Sequence, residues 1–203
     1  MKSSLGLLTA FWLFAATGTI INFDTAPLGQ TPPGWSASPH WEIRKDLSAP
    51  TQPYVLAQIS NQPSDNRYPL AILNSLMFHD GDMSVRFKPV GGHGVQGCGL
   101  VWRYRDENNY YLARANMQEK TVSVYKVQNG QRTLLLPGAR RDIPSNSWSI
   151  LKISARGNRF QVYMDHRRIL QGWDNTFTGS GKVGLWTVAD AVTYFDDFCV
   201  YPK

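Results

Sequence analysis

GCGLVWRYRDENNYYLARANMQEKTVSVYKVQNGQR, residues 97–132, decides the fold: it reads as three strands and the start of a fourth, reversing at two polar turns. LVWRYR runs through Asp106-Glu107-Asn108 into NYYLARANM, and KTVSVYKV and QRTLLL flank Asn129-Gly130, a strong short-range hairpin signal. Successive strand side chains point to opposite faces. A turn centred on Glu107 and Asn108 therefore puts Leu100, Trp102 and Tyr104 on one face, and Val101, Arg103 and Arg105 on the other. Across the hairpin Tyr111, Ala113 and Ala115 continue the first face, and Tyr110, Leu112, Arg114 and Asn116 the second. Burying Trp102 and Tyr104 removes more apolar area from water than burying the arginines, whose charges would have to be desolvated. The first face is predicted to be core and the second to be outward. A single bulge would invert that assignment.

The same logic extends both ways. DMSVRFKPV, 82–90, alternates Met83, Val85 and Phe87 against Ser84, Arg86 and Lys88. WSILKISA and RFQVYM are joined across Arg156-Gly157-Asn158. A short RRIL strand follows Asp165-His166, and GKVGLWTV (181–188) and VTYFDDFCVY (192–201) close the chain. Upstream lie strand candidates at Ile20 to Asp24, 41–47, 54–60 and Tyr68 to Asn74. The proline- and glycine-rich APLGQTPPGW is predicted to hold neither helix nor regular ladder, and NQPSDNR is predicted to be a loop. Roughly a dozen short strands with turn residues between them predict an all-β sandwich of two antiparallel sheets, since one open sheet would leave an apolar face bare.

Lys2 precedes an uncharged apolar run from Leu5 to Ala16, and Ala16-Thr17-Gly18 offers small residues where a signal peptidase reads. The expectation is a signal peptide over residues 1–18 and one domain over 19–203, periplasmic or extracellular, with no transmembrane segment after cleavage. The +6 net charge is scattered rather than gathered into a stripe, which argues against a nucleic-acid partner. Cys98 and Cys199 lack redox or zinc spacing; one lies between glycines at the start of a strand and the other inside the last strand, which favours two free buried thiols, with a disulfide, permitted in an exported chain, as the alternative.

Catalytic signatures are sparse. The nearest carboxylate pairs are Asp106 with Glu107, in a turn, and Asp196 with Asp197, which would point to opposite faces of a regular strand. His40, His79, His93 and His166 lack metal-ligand spacing, and no nucleophile elbow occurs. Asp80-Gly81-Asp82 resembles a piece of a calcium loop, but its continuation Met83-Ser84-Val85 breaks the pattern, so no cofactor is predicted and calcium stays open. Arg103, Arg105, Arg114, Asn116 and Tyr110 share the predicted outward face, where guanidinium forks and an amide can hold hydroxyls or a carboxylate; plain solvation of those arginines is the alternative. Trp186, beside Gly184 in its strand, adds a flat apolar surface for a sugar ring. Trp35, Trp41, Trp148 and Trp173 serve equally as core or loop anchors.

Residues 97–132, together with FDTAPLGQTPPGW, SVRFKPVGG, WSILKISARGNRFQVYMD and GKVGLWTVADAVTYFDDF in that order, resemble the bacterial secreted domain family DUF1080, also called the 3-keto-disaccharide hydrolase domain. The resemblance covers roughly residues 20 to 201. It implies a concanavalin A-like jelly roll with a concave sheet on which a saccharide lies. Members often carry glycine where this chain has His166, which predicts a less tight turn here. The expected function is a secreted carbohydrate-binding domain for an oligosaccharide or polysaccharide, using Arg103, Arg105, Tyr110, Arg114, Asn116 and Trp186. The alternative is a hydrolase or lyase acting on 3-keto-glycosides, with Asp106, Asp174 or Asp190 as base and an arginine on the enolate.

Overall fold

The computed structural model describes residues 18–60, 68–92 and 96–203. The predicted signal segment up to Thr17, the NQPSDNR loop and His93 lie outside the described residues. Among the described residues fifteen strands follow in order: β1 (Thr19–Ile21), β2 (Trp35–Ala37), β3 (Trp41–Lys45), β4 (Tyr54–Gln58) and β5 (Leu70–Phe78). Then come β6 (Gly81–Gly91), β7 (Gly97–Asp106), β8 (Asn109–Asn116), β9 (Thr121–Gln128) and β10 (Gln131–Arg140). The last five are β11 (Ser149–Arg156), β12 (Arg159–Met164), β13 (Arg167–Trp173), β14 (Gly181–Thr187) and β15 (Val192–Pro202). Among the described residues no helix is long and apolar enough to cross a membrane.

Two antiparallel sheets form a sandwich. One has eight strands, β13-β12-β11-β6-β15-β4-β3 with β1 also on β15; the other has seven, β10-β9-β8-β7-β14-β5-β2. Period-two patterning sets which side of each strand is core. Met83, Val85 and Phe87 of β6, Leu151 and Ile153 of β11, and Phe160 and Val162 of β12 face Leu100, Trp102, Tyr111, Ala113, Val122 and Leu185 of the second sheet. Trp102 stacks on Tyr111 at 5.2 Å and meets Phe160 edge-on at 5.7 Å, so one aromatic cluster ties the two layers together.

The sequence missed β2, because the tail of the proline-rich stretch ends in Trp35, which pairs with Leu73 and enters the core against Phe23 and Phe198. Both cysteines are free: Cys98 is buried between the sheets, while Cys199 lies on the outward side of β15. Burial drives the Cys98 thiol far above the ordinary thiol range.

Asn129 and Gly130 have φ of 52° and 78°, the paired positive values of a two-residue hairpin turn. Asp165 and His166 join β12 to β13 with φ of 47° and 67°, so this turn is equally tight, contrary to the loosening expected from the missing glycine. Asp165 holds it by accepting the Ile150 N–H at 2.9 Å. Left-handed backbone is costly for histidine and costless for glycine. His166→Gly is therefore expected to raise stability by about 0.5–1 kcal/mol, part of the relief being offset by the freer unfolded chain. A thermal melt reads this as a rise of roughly 1–4 °C; an unchanged or lower midpoint would show that the turn carries no strain.

Candidate functional site

A bulge in β7 decides which side chains reach the outward face of the seven-stranded sheet. Pairing with β8 is regular from Gly97 to Trp102 and resumes only at Asp106, and Arg103 sits at φ 49° in the break. Downstream of it the faces exchange. Trp102 is core, as predicted, but Tyr104 turns outward onto Tyr110, with ring centroids 5.9 Å apart.

Arg103 does not project from the sheet. It is 2% exposed, and its guanidinium donates to the carbonyls of His79, Phe177 and Gly157 and to the Asp80 carboxylate. Arg105 leaves the face as well, lying over the Phe177 ring at 5.1 Å. The same flip that gives Tyr104 to the outward face removes both arginines from it.

Tyr110, Arg114, Asn116 and Trp186 do share that face. Trp186 is fully buried on it, covered by Tyr68 in a parallel stack at 5.8 Å. Burial pushes the Tyr110 hydroxyl up to about 12, with the Trp186 indole as its hydrogen-bond partner. The Asn116 amide oxygen accepts the N–H groups of Gln118 and Glu119 and so shapes the β8–β9 turn. Arg114 is buried, reaches the Tyr125 hydroxyl at 3.4 Å and lies 3.8 Å from Glu119.

Sequence reasoning missed the residues that finish the surface. The Arg132 guanidinium lies 4.8 Å over Tyr68 and 5.1 Å over Tyr125, extending the column that begins with Trp186. Such stacking holds the planar fork flat while its N–H edges stay free. The signal was available: from the Asn129-Gly130 turn, Arg132 falls opposite Val127, two positions from Tyr125 on the same face.

Two depressions of about 390 and 240 Å³ share Ser38, Leu70 and Glu107, and so form one trough across this face. Its floor is Leu70, Ile72, Tyr104, Tyr110 and Val127, and its rim carries Glu107, Asn108, Arg132 and Lys182. Lys182 is fixed by Asn74 at 2.9 Å, and Asn74 by Ser36 at 2.8 Å. An apolar floor with a few directional polar groups at its edge suits a polyhydroxylated ring better than an ionic polymer.

The remaining carboxylates lie elsewhere. Asp106 accepts from Asn108 and Asn109 within its turn. Asp174 accepts the Tyr111 hydroxyl at 2.6 Å and the Thr176 N–H at 2.7 Å; although burial pushes its pKa up, these bonds and Lys126 outweigh it and hold the carboxyl below the ordinary range. Asp190 is buried in the β14–β15 turn. None of these three alternative bases lines the trough. Asp80 and Asp82 are engaged by Arg103 and by Lys152, Ser154 and Arg156. Among the described residues no three His, Cys, Asp or Glu side chains form a metal-binding group.

Asp196 and Asp197 depart from the regular-strand expectation. A bulge with Asp197 at φ 48° turns both outward from the eight-stranded sheet, and the Thr51 hydroxyl lies 3.0 Å from each carboxylate. Asp197 is also 3.1 Å from Arg86. Burial, with the Asp197 charge, pushes Asp196 up to about 6 against the N–H groups of Thr51 and Asp197, which pull it down.

No family model matches the chain. Over 120 residues it is 28% identical to a levanase of Bacillus subtilis (strain 168), an alignment covering 59% of this chain and 17% of that protein's length. It superposes on the carbohydrate binding module CBM66 from Bacillus subtilis with a TM-score of 0.66 and 24% identity, covering 82% of this chain and 95% of that one. The GH43 protein BlXynB from Bacillus licheniformis matches at 0.61 and 15%, over 90% of this chain and 39% of that one. The fold is a concanavalin A-like jelly roll. It is the two-sheet sandwich expected from residues 97–132, and these likenesses establish architecture alone.

Two outcomes follow from the buried polar groups. Arg103→Ala strips three carbonyls and a carboxylate of their donor, and is expected to cost about 3–5 kcal/mol, read as a fall of roughly 6–20 °C in melting temperature; a loss under 1 °C would place the guanidinium in solvent. For Asp196 the folded value lies above the unfolded one near 3.8, so the native state binds the extra proton and stability falls as pH rises from about 4 to 6. Asp196→Asn should flatten the melting profile in that window, whereas parallel profiles for the two chains would contradict the assignment.

Proposed function

We propose that this chain is an exported carbohydrate-binding domain whose glycan lies in the trough on the outward face of the seven-stranded sheet. The observation that carries the reading is the Trp186–Tyr68–Arg132–Tyr125 column, which presents a preoriented guanidinium edge beside the ring of Tyr110 and the Glu107 carboxylate. Sugars offer apolar C–H faces and directional hydroxyls, and the trough offers the complement of each. The likeness to a carbohydrate binding module and to a levanase supports the class, and names levan as the first polymer to try. The uncharged run after Lys2 supports export.

Acid–base cleavage of a glycosidic bond uses two carboxylates flanking the bond. The trough lining contributes Glu107, which favours retention over hydrolysis. The resemblance to the 3-keto-disaccharide hydrolase domain keeps one alternative for the same trough, in which a single base and a cation suffice for elimination from an oxidised sugar.

Retention on immobilised levan, beside a 3-keto-disaccharide assay for released product, separates the two. The expected result is retention without product, weakened by about 1.5–3 kcal/mol in Arg132→Ala through loss of charge-assisted hydrogen bonds, with melting temperature unchanged. Arg132→Lys should recover little, since an ammonium cannot present a planar fork. Product release without retention would move the trough to the enzyme reading, and full retention by both variants would place the glycan elsewhere.

A further inference from the structure

Trp173 ends β13 with 69% of its surface in water, the highest value among the described large apolar residues. Phe160, Val162 and Met164 of β12 point into the core, so Arg159, Gln161 and Tyr163 point outward; the register carries that parity regularly onto β11, and onto β13 across one bulge, where Ile169 and Leu170 both pack on the core and Arg168 returns to the outward side opposite Tyr163. Three rungs result across β11, β12 and β13: Arg156, Arg159 and Trp173; Ser154, Gln161 and Gln171; Lys152, Tyr163 and Arg168. The inner side of β13 is closed, because Leu136 of β10 packs where a Gly172 side chain would stand. Trp173 is thus fixed outward.

The charges on these rungs are unequal. Arg156 and Lys152 are held by Asp82, at 3.0 and 3.2 Å. Arg159 and Arg168 are exposed and make no ion pair among the described residues. Lys152 lies over Tyr163 at 5.5 Å and Lys88 over Trp148 at 5.4 Å, whereas among the described residues no cation or ring covers Trp173. A depression of about 320 Å³ opens beside it, lined by Arg159, Phe160, Gln161, Gln171, Gly172 and Trp173. An uncovered indole face, the Gln171 amide, the Gln161 Nε2 group (its Oε1 accepts the Tyr163 hydroxyl at 2.6 Å) and two guanidinium groups with no ion pair among the described residues therefore share one surface on the sheet opposite to the trough.

We propose that this outward face of β11, β12 and β13 binds an acidic polysaccharide. Trp173 stacks on a sugar ring, Gln161 and Gln171 hold hydroxyls, and Arg159 and Arg168 take carboxylates. The outer rungs lie ~14 Å apart along the strands, four residues at about 3.4 Å each, so one extended chain of a few sugars reaches both. Charge complementarity selects an acidic polymer, and the net +6 of the protein favours its approach. The indole and the neighbouring amide rung together select a polysaccharide over a membrane surface, which would be met by a denser cluster of basic residues.

The test is affinity electrophoresis of the full chain in gels containing polygalacturonate, dextran or levan, with flotation on phosphatidylserine vesicles alongside. Retardation by polygalacturonate but not dextran is expected, lost at ~1 M salt where screening acts within about 3 Å. Trp173→Ala and Arg159→Gln should each weaken it at least tenfold with levan behaviour and melting temperature unchanged, while Trp173→Phe keeps most of it. No retardation of the parent chain, equal retardation of both variants, or vesicle binding without polygalacturonate binding would overturn the proposal. Because the trough lies on the other sheet, either surface can fail without the other.

Discussion

The break in β7 at Arg103 is the constraint on which the two faces of the seven-stranded sheet depend. A guanidinium cannot be left dry without acceptors, and the segments bearing His79, Phe177 and Gly157 converge to supply them. Holding Arg103 in the left-handed region lets its side chain turn into that end of the sandwich while Trp102 stays in the core cluster. The parity shift that follows delivers Tyr104 to the outward face. One buried polar knot thus fixes both the closure of the sandwich end and the chemistry of the surface beyond it.

The two outward surfaces divide along physical lines. On the seven-stranded sheet a second apolar cluster, with Leu70, Ile72, Val101, Leu112 and Trp186, forms a dry floor that Tyr68 and Arg132 complete from above. Polar groups stand only at the edge, which is the anatomy of a site for a neutral, hydroxyl-rich ligand. The eight-stranded sheet instead presents its charges across the face. Many are consumed internally, as in the Asp82 cluster and the Asp196–Thr51–Asp197 contact, but the outward rungs of β12 and β13 keep Arg159, Arg168 and Trp173 without an ion pair or ring contact among the described residues.

The fold was legible because its evidence is local: alternation in 82–90 and 149–164 and the Asn129-Gly130 turn each fix a strand and its partner without reference to the rest. Site residues were legible only as far as the alternation held. Tyr110, Arg114 and Asn116 lie in β8, which pairs with β9 without a break, and they occupy the face the alternation gives; Arg103 and Arg105 lie in or beyond a bulge that no local pattern in LVWRYR announces. Trp186 reads in the sequence as an open platform for a sugar ring, yet it is buried. Its cover comes from Tyr68, more than a hundred positions away, and long-range capping of this kind has no signature in either segment. Arg132 was recoverable by counting from a known turn, since its role depends on parity alone.

The central claim is that a neutral glycan meets this chain at the Arg132 column. The most direct measurement is a two-dimensional NMR titration with a levan oligosaccharide, following the arginine Nε–H signals and the backbone amides. The Arg132 Nε–H and the amides of Glu107, Asn108 and Gly130 are expected to shift together in one saturable process, while those of β11, β12 and β13 stay still. Saturable shifts confined to β11, β12 and β13, or to the Asp196–Thr51 region, with Arg132 unmoved, would contradict it.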